Sequence, residues 1–432
     1  MSFALVLVLV ILFAMLIIGA PVVFAIGTAA ASYFLVKPGM LAELIVYPHK
    51  FFTGMDSFVF LCIPLFTLSG ELMSQTGMMS KMVKFCQLFV GRLRGGLAYV
   101  NVLASMMFGG VSGSGLADVA ALGPIEVQMM KEDGYDADFA AALTASSAIQ
   151  GPIIPPSIPM VIYASLTNAS VGALFLGGLV PGIMVGCAQM LIISLMAKKR
   201  NFPKRDFKIS HREKLSVIWT ASSALLMPLI IIGGIISGIF TATEASAVAV
   251  FYALIVGLFF YRNITPASLF DALKKTARTS ASIYLIIAFT GIISWILAME
   301  GVPSMLSSLV SNYHLSPYAL LLFVNLFFLF NGMWISDTAQ LILFAPIFAP
   351  IFSQMGVSTI HFGVVMVVNV MISLITPPYG TALYLAAGIT GSPLRNIVKE
   401  VFPFLCSSIV VLFLITYFPV FVLTVPRLFG LL

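Results

Sequence analysis

Hydroxyl-bearing residues, glycines and Pro-Pro pairs recur together in two stretches of the sequence, from Gly109 to Tyr163 and from Gly332 to Tyr384. The first contains GGVSGSGLADVAALGPI and ends in AIQGPIIPPSIPMVIY; the second contains GMWISDTAQLILFAPI and ends in MISLITPPYGTALYL. Pro-Pro removes two backbone donors and leaves upstream carbonyls without helical partners. Oxygens of hydroxyls and carbonyls are the ligands that hard cations such as Na⁺ prefer, as their divalent relatives do. The chemistry that these residues indicate is therefore cation binding.

Residues for other chemistry are missing from the sequence, and the protein is predicted not to be an enzyme. There is no GxxxxGK[ST] phosphate-binding motif, no HExxH motif and no catalytic constellation. The cysteines show no CxxC spacing and are expected to be packing residues: Cys62, Cys86, Cys187 and Cys406. The histidines lie in or beside predicted loops, where solvated or capping roles are expected: His49, His211, His314 and His361.

The two stretches are related by a constant offset of 222 positions. The matching landmarks are Ser114 with Ser336, Pro124 with Pro346, Gly134 with Gly356, and Pro155-Pro156 with Pro377-Pro378. A constant offset indicates an internal repeat. Each copy is predicted to contain an apolar helical hairpin with a polar tip, followed by an apolar helix that Pro-Pro interrupts. Interrupted helices in corresponding positions of two halves point to a transporter's substrate and ion sites.

The repeat divides the chain into two predicted halves. Residues 1–214 contain scaffold helices, hairpin 1 at about 100–131 and a broken helix at about 137–164. Residues 215–432 contain scaffold helices, hairpin 2 at about 318–354 and a broken helix at about 360–388. Small residues at a hairpin tip can also serve close helix packing in a membrane. The same Pro-Pro spacing after both hairpins favours ion binding over packing alone.

Composition places these elements in a membrane. Hydrophobic residues make up 60% of the chain, charged residues 9%, and the mean hydropathy is +1.09, which excludes a water-soluble globular domain. Apolar runs of about 20 residues recur along the chain and predict an all-α polytopic membrane protein. The run from Met1 to Val36 lacks a basic n-region, so we expect it to be retained, as one kinked span or as two short ones. The formal net charge of +6 is attributed to topology determinants beside anionic lipid rather than to nucleic-acid binding.

The distribution of basic residues predicts the orientation of the halves. Lys198 to Lys214 is the longest polar segment and is strongly basic, so it is predicted to be cytoplasmic. With the offset of 222, the basic loop at 81–94 maps onto an uncharged stretch at 305–318. The loop at 37–56, which has few basic residues, maps onto the basic loop at 262–278. Opposite bias in equivalent loops predicts an inverted repeat with two re-entrant hairpins, whose tips meet near the midplane.

Acidic residues divide into three groups. Asp118 and Asp337 would each cost about 2.5 to 3.5 kcal/mol at a helix centre, so they should face protein or water, and a role as helix N-caps is equally supported. Glu71, Glu126 and Glu300 are expected nearer the membrane interfaces, without a special role. Thr241 and Glu244 form a TxxE capping box that predicts a helix start.

The first motif, from Gly109 through the first Pro-Pro to Ala164, resembles the signature of the large membrane subunit of TRAP transporters, the tripartite ATP-independent periplasmic family. GMWISDTAQLILFAPI and MISLITPPYGTALYLAAG are similar to that family's second-half signature. The resemblance implies an ion-transporter-like fold, elevator motion of the hairpin domain and coupling to Na⁺. It also implies that a periplasmic binding protein captures an organic acid, that a small four-helix membrane subunit takes part, and that the protein resides in a bacterial inner membrane.

The resemblance also implies two Na⁺ sites. Site 1 would use Ser112, Ser114, Gly151, Ile154 and Pro156, and site 2 would use Gly332, Ser336, Asp337, Thr376, Pro378 and Gly380. Family members commonly carry an acid at the position of Ser336, whereas here the acid follows at Asp337. Members that carry acidic sugars can place an Arg in the span that here reads SWILAMEG, where Met299 stands instead, so the substrate cannot be transferred from the family.

The residues directly after each Pro-Pro, Ser157 and Tyr379, are predicted to shape a substrate pocket together with Asp118. The predicted function is Na⁺-coupled secondary uptake of an organic acid, either a carboxylate or an acidic sugar. Two alternatives stay open: a self-sufficient Na⁺/carboxylate symporter without partner subunits, and a non-transporting membrane scaffold in which the polar tips only pack.

Overall fold

The computed structural model describes residues 2–204, 211–305, 308 and 316–432. Within them the chain forms α-helices joined by short turns, without a β-strand. The helices of the first half are α1 (Phe3–Ile17), α2 (Val22–Val36), α3 (Val46–Met55), α4 (Cys62–Gln75), α5 (Met78–Val90), α6 (Gly96–Ser112), α7 (Gly115–Glu132), α8 (Ala137–Ser147), α9 (Ile158–Thr167) and α10 (Val171–Lys199). Those of the second half are α11 (His211–Ile236), α12 (Ala242–Ile255), α13 (Pro266–Met299), α14 (Pro317–Asn331), α15 (Asp337–Gln354), α16 (Thr359–Ile372), α17 (Thr381–Thr390), α18 (Leu394–Tyr417) and α19 (Val420–Leu428).

Five helical segments in these residues are long and apolar enough to cross a bilayer. They are Phe58–Gln75, Val171–Lys199, Ala242–Phe260, Pro266–Met299 and Leu394–Tyr417. Large apolar side chains such as Phe3, Ile18 and Phe259 are exposed, as the lipid-facing surface of a membrane protein requires. The prediction of an all-α, multi-pass membrane protein is confirmed.

The N-terminal apolar run forms two helices. α1 ends before Gly19, which adopts a φ of +86° favoured by glycine, and Pro21 precedes α2. The two helices pack against each other, and α2 also packs against α13. Lys37, just after α2, forms an ion pair of 2.7 Å with Glu300, just after α13. The sequence left open whether this run is one kinked span or two short ones, and the structure contains two short helices.

Several segments predicted as charged loops are helical. Lys81 and Lys84 lie on α5, and Lys274 and Lys275 lie in the first turns of α13. The segment 37–56 contains α3, which packs on α13 where Gly54 approaches Gly291. Charged residues reduce local hydropathy without ending a helix, so a hydropathy pattern places the helix starts too late. The predicted linker from Lys198 to Lys214, Ser311 and His314 lie wholly or partly outside the described residues.

Helix caps refine two further expectations. Thr241 and Glu244 form the predicted capping box at the start of α12, which is confirmed. The N-cap hypothesis for Asp118 and Asp337 is wrong, because Ser114 caps α7 and Ser336 caps α15. The aspartates instead lie in the first turn of each helix, where a negative charge interacts favourably with the helix dipole.

The elements around the two Pro-Pro segments pack reciprocally. α6 and α7 join at Gly113-Ser114. α7 packs against two helices: α8, which precedes the first Pro-Pro, and α17, which follows the second. α14 precedes α15, and α15 packs against α16, which precedes the second Pro-Pro, and against α9, which follows the first. The second arm of each hairpin, α7 or α15, thus touches broken-helix segments from both halves of the chain.

Candidate ion and substrate site

The first Pro-Pro segment is pressed against the end of α6. After α8, residues Ala148–Gln150 make one 3₁₀ turn, and α9 begins only at Ile158. A Cβ at Gly109 would lie 2.6 Å from the Cα of Gly151, and a Cβ at Gly113 would lie 2.6 Å from the Pro156 carbonyl oxygen. Gly113 also has a φ of +61°. Glycine is therefore required at both positions for the backbones to approach this closely.

The residues predicted for site 1 converge here. Ser112 is 2% exposed, and its hydroxyl lies 3.4 Å from both the backbone nitrogen and the carbonyl oxygen of Ser114. Gly151, Ile154 and Pro156 are buried. Gly151 meets the hairpin at Gly109, and Pro156 meets it at Gly113. The result is a group of hydroxyl and carbonyl oxygens between α6 and the first Pro-Pro segment, of which Ser114 alone is partly exposed.

The residues predicted for site 2 form a more open group. A Cβ at Gly332 would lie 2.5 Å from the Cβ of Ser373, so the end of α14 contacts the turn before the second Pro-Pro. Thr376 donates its hydroxyl to the Ile372 carbonyl at 2.9 Å. Ser336, Asp337 and Thr376 are partly exposed, Pro378 is exposed, and Gly332 and Gly380 are buried. Site 2 is therefore the more exposed group, whereas in site 1 only Ser114 is partly exposed.

The two groups are close to each other. A Cβ at Gly115, in the tip of the first hairpin, would lie 2.9 Å from Leu374 Cδ1, beside the second Pro-Pro segment. Tyr163 of α9 donates to the Thr359 carbonyl at the start of α16, at 2.9 Å. Both Pro-Pro peptide bonds are cis. The polar tips and the interrupted helices of the two halves therefore occupy one region of the molecule.

The residues predicted to contact substrate differ in their exposure. Ser157 is completely buried, caps α9 at Met160 N and also bonds the Pro152 carbonyl. Tyr379 is 39% exposed, and its hydroxyl is close enough to Asp337 to be affected by its charge. Asp118 is 1% exposed, and neither of its carboxylate oxygens has a hydrogen-bond partner in the described part of the chain. Of the three, Tyr379 is the one that reaches the surface.

A buried polar cluster behind the first hairpin was missed by the sequence reasoning. Asn101 of α6 donates to Glu126 of α7 at 2.7 Å and to Thr144 of α8 at 2.8 Å. Ser147 donates to the Asn101 carbonyl oxygen at 2.7 Å. Glu126, which the sequence placed near a membrane interface without a special role, has a side chain that is 3% exposed and packed among neighbouring helices. Its spacing of eight residues from Asp118 puts both on one face of α7, a signal that could have shown this.

The second half contains a matching amide cluster without a carboxylate. Asn369 of α16 donates to the Asn325 side-chain oxygen at 2.9 Å, and Asn325 donates to Thr416 at 2.9 Å. His361, expected to be solvated or capping, is instead buried and bonds the Ile415 carbonyl at 2.8 Å. In both halves, an amide in the first hairpin helix is therefore tied to the helix that precedes Pro-Pro.

The donor set fits a hard monovalent cation better than a transition metal. No group of three or more His, Cys, Asp or Glu side chains able to hold a metal occurs among the described residues. The oxygens near the hairpin tips belong to hydroxyls, backbone carbonyls and the carboxylates of Asp118 and Asp337. Such oxygens suit an alkali ion and lack the nitrogen and sulfur ligands of zinc or copper.

The family described as "Tripartite ATP-independent periplasmic transporter, DctM component" matches residues 9–421. The chain belongs to this family. This DctM component is 40% identical over 376 residues to the sialic acid TRAP transporter large permease protein SiaM of Vibrio cholerae, covering 87% of this chain and 88% of that protein. It is 37% identical over 404 residues to the C4-dicarboxylate TRAP transporter large permease protein DctM of Pseudomonas aeruginosa, covering 94% of each. The resemblance to TRAP large membrane subunits is thereby confirmed.

Solved structures with a similar fold are more distant in sequence. The Alcanivorax borkumensis YdaH transporter superposes with a TM-score of 0.63 at 15% identity, covering 97% of the DctM component and 99% of that chain. Neisseria gonorrhoeae MtrF superposes with a TM-score of 0.60 at 13% identity, covering 96% and 94%. At these identities the likeness concerns the fold alone.

Proposed function

We propose that this DctM component is the transporting subunit of a Na⁺-coupled secondary transporter for an organic acid. The observation that carries the proposal is the contact of each hairpin with a Pro-Pro segment, at Gly109 and Gly151 in one half and at Gly332 and Ser373 in the other. Interrupted backbone at membrane depth is tolerated where it lines a site for an ion or water. A scaffold that only packs has no need for two such interruptions in corresponding positions.

The Na⁺ ligands in this proposal are the residues of sites 1 and 2. In site 1, the Ser112 and Ser114 hydroxyls and the carbonyls of Gly151, Ile154 and Pro156 hold the first ion. In site 2, the Ser336 and Thr376 hydroxyls, the Asp337 carboxylate and the carbonyls of Gly332, Pro378 and Gly380 hold the second. The partial exposure of Ser336 and Thr376 supports ion exchange with water at site 2 in the present conformation.

The organic acid is proposed to bind between the half-helices α9 and α17. The large permease relatives are named for sialic acid and for C4-dicarboxylates, both of which carry carboxylates. The core motifs contain no Arg, and their Lys131 lies in the last turn of α7, at the opposite end from the hairpin tip. Backbone amides at the N-termini of α9 and α17, with bound Na⁺ as the largest local positive charge, would then hold the carboxylate. Tyr379 would shape its pocket from the exposed side.

The partners and the motion belong to the same proposal. A periplasmic binding protein delivers the acid, a small four-helix membrane subunit completes the membrane complex, and the site lies in a bacterial inner membrane. The two halves are arranged as an inverted repeat, and the hairpins and broken helices move together as an elevator against α1–α4 and α11–α13. The reciprocal packing of α7 on α17 and α15 on α9 supports movement of these elements as one body.

The experiment is uptake by proteoliposomes that contain the DctM component with its small subunit, after addition of the loaded binding protein. Uptake is expected to require an inward Na⁺ gradient and to stop when choline replaces Na⁺. Uptake without the binding protein and small subunit would instead establish a self-sufficient symporter. No uptake of any organic acid that the binding protein holds would support a scaffold. Equal substrate affinity in Na⁺ and choline would refute cation-assisted binding.

A further inference from the structure

Glu126 is a buried carboxylate that the proposed Na⁺ and substrate sites do not use. It lies three helical turns beyond the hairpin tip, and its side chain is 3% exposed. Oε2 accepts the hydrogen bond from Asn101 at 2.7 Å, whereas Oε1 has no partner in the described part of the chain. An ionised carboxylate in such a place is costly unless a positive charge or further donors compensate for its lost hydration.

The hydrogen bonds around Glu126 form a chain in which each side chain donates towards the carboxylate. Ser105 donates to Ser147 at 3.0 Å, Ser147 donates to the Asn101 oxygen at 2.7 Å, and Asn101 donates to Glu126. The second N–H of Asn101 is used by Thr144. In the described part of the chain no donor bonds Oε1, so the cluster orders the carboxyl group through the single bond from Asn101 to Oε2, without neutralising it.

The hairpin arm does not need a carboxylate for its structure. The position 222 residues later is Phe348, which packs in α15 against Phe327, Phe328 and Phe344. The amide cluster of Asn325 and Asn369 in the second half contains no acid. An apolar residue therefore serves at the corresponding position, and the presence of Glu126 calls for a functional reason.

A proton fits this group better than a metal ion. A metal cation requires several oxygen ligands around it. Glu126 instead faces the amide N–H of Asn101, which repels a cation, and its free Oε1 offers one acceptor. A proton needs one acceptor only, and the protonated acid can keep the bond from Asn101 at Oε2.

Several titratable groups lie on the helices around Glu126, and two of them interact with it. Titratable or charged groups on α7 and on the helices packed against it are Cys62, Glu71, Lys81, Lys84, Cys86, Tyr99, Asp118, Lys131, Glu132, Asp138 and Tyr384. Of these, Asp118 and Cys86 interact electrostatically with Glu126. Cys86 belongs to α5, so Glu126 lies near the boundary between the hairpin and this neighbouring helix, where displacement of the hairpin would change what covers it.

We propose that Glu126 is a proton-binding site of the transport cycle, and that one proton therefore crosses the membrane with the organic acid. The carboxylate accepts H⁺ from water on one side to become a carboxylic acid, and it returns H⁺ to water on the other side; no electron moves. This inference rests on the proposed transport function. It adds a second coupling ion, which binds about 12 residues along α7 from the Ser114 cap.

The test uses the reconstituted complex with a pH-sensitive dye trapped inside, a fixed inward Na⁺ gradient and a potential clamped with K⁺ and valinomycin. Wild-type vesicles are expected to acidify when the loaded binding protein is added. Glu126→Gln, which keeps the shape and the acceptor for Asn101, is expected to lose this acidification to the level of protein-free vesicles. Glu132→Gln is the matched control, because Glu132 lies at the exposed end of the same helix and accepts from Gln128 at 2.9 Å.

Two outcomes overturn the proposal. One is wild-type uptake of the organic acid without any substrate-driven change in internal pH; the other is unchanged acidification in Glu126→Gln. Glu126→Leu, which imitates the apolar residue of the other half, provides a second variant if the amide variant does not assemble. Absence of uptake altogether would contradict the transport function itself, so the two failures are distinguishable.

Discussion

Ser114 and Thr376 carry hydroxyls that the Na⁺ proposal requires, and each also has a partner in the fold. The Ser114 hydroxyl caps α7 by accepting from Ala117 N, whereas Thr376 donates to the Ile372 carbonyl. Replacement of Ser114 therefore combines the loss of a cap, worth about 0.5 to 2 kcal/mol, with any loss of ion binding. Variants of Thr376 separate the loss of ion binding from the loss of stability more clearly. Ser preserves the hydroxyl of Thr376, and Val preserves its branched shape.

We expect Thr376→Val to raise the Na⁺ concentration needed for half-maximal uptake, whereas Thr376→Ser keeps the wild-type value. A neutral hydroxyl contributes about 0.5 to 1.5 kcal/mol, which corresponds to about a two- to tenfold change. Uptake at graded Na⁺ concentrations measures this effect, with protein abundance in the membrane as the control. Identical Na⁺ curves for both variants would mean that the hydroxyl serves packing.

Glu300 provides a pH dependence that is independent of the transport site. Its carboxylate accepts hydrogen bonds from Lys37 Nζ at 2.7 Å and from Tyr33 at 2.8 Å, and the Lys37 bond is the main cause that lowers its pKa to about 2. A depressed carboxyl pKa stabilises the fold above the ordinary value of 4.5, and this contribution disappears as the pH falls from about 4.5 towards 2.

Glu300→Gln should therefore lower the thermal stability of the detergent-solubilised protein at pH 7, by an equivalent of about 1 kcal/mol or less. The difference from wild type should shrink as the pH falls below about 4.5, because protonation breaks the same ion pair in the wild type. Thermal unfolding followed at several pH values measures this. A difference that stays constant down to the lowest accessible pH would exclude the ion pair as its cause.

At the scale of elements, the packing of helices around the candidate site depends on close contacts at glycine. α6 can approach the first Pro-Pro segment because Gly109 has no side chain, since a Cβ there would lie 2.6 Å from the Gly151 Cα. Gly388 of α17 serves as the control position, because nothing lies within 4 Å of a Cβ placed there.

Gly109→Ala is expected to abolish most uptake and to destabilise the protein by about 1 to 3 kcal/mol, because the added methyl group separates α6 from the Pro-Pro segment. Gly388→Ala should leave uptake unchanged and stabilise α17 slightly, by up to about 1 kcal/mol. Uptake rates and melting temperatures of the two variants give the comparison. Equal uptake by both would show that the contact at Gly109 can relax without cost.

Features set by local chemistry could be predicted from the sequence. Pro-Pro cannot continue a helix, and α9 and α17 accordingly begin just after the two pairs; the Thr241 box caps α12 for equally local reasons. The starts of α5 and α13 were missed, because their lysines resemble a loop in a hydropathy profile. The burial of Glu126 depends on the packing of α5, α6 and α8 around α7, and its spacing from Asp118 is the one sequence signal that indicated it.

The orientation of the two halves is a property of the whole molecule. The sequence predicts that Lys84 and Ser311 lie on opposite sides of the membrane. Ser311 is outside the described residues, but Ser316, the exposed N-cap of α14, is close to it in sequence. Cys187 and Cys406 are exposed on α10 and α18, so both are first replaced to give a background without surface thiols.

In that background, single cysteines at Lys84 and Ser316 should be labelled from opposite sides by an impermeant maleimide. The reason is the reversed bias of positive charge between equivalent segments. Intact inverted and right-side-out vesicles provide the measurement, and labelling after permeabilisation confirms that each cysteine is accessible. Labelling of both from the same side would rule out the inverted repeat.

The reciprocal packing has a consequence for how the protein is made. α7 is complete once Glu132 has been added, but α17, which covers one of its flanks, begins at Thr381, within the last 52 residues of the chain. At about 5 to 20 residues per second, a ribosome needs about 12 to 50 seconds to cover that distance. Throughout this interval the polar tip of the first hairpin lacks its final neighbour. Until α17 has been synthesised, the polar tip must therefore contact water, the insertion machinery or other helices of the first half.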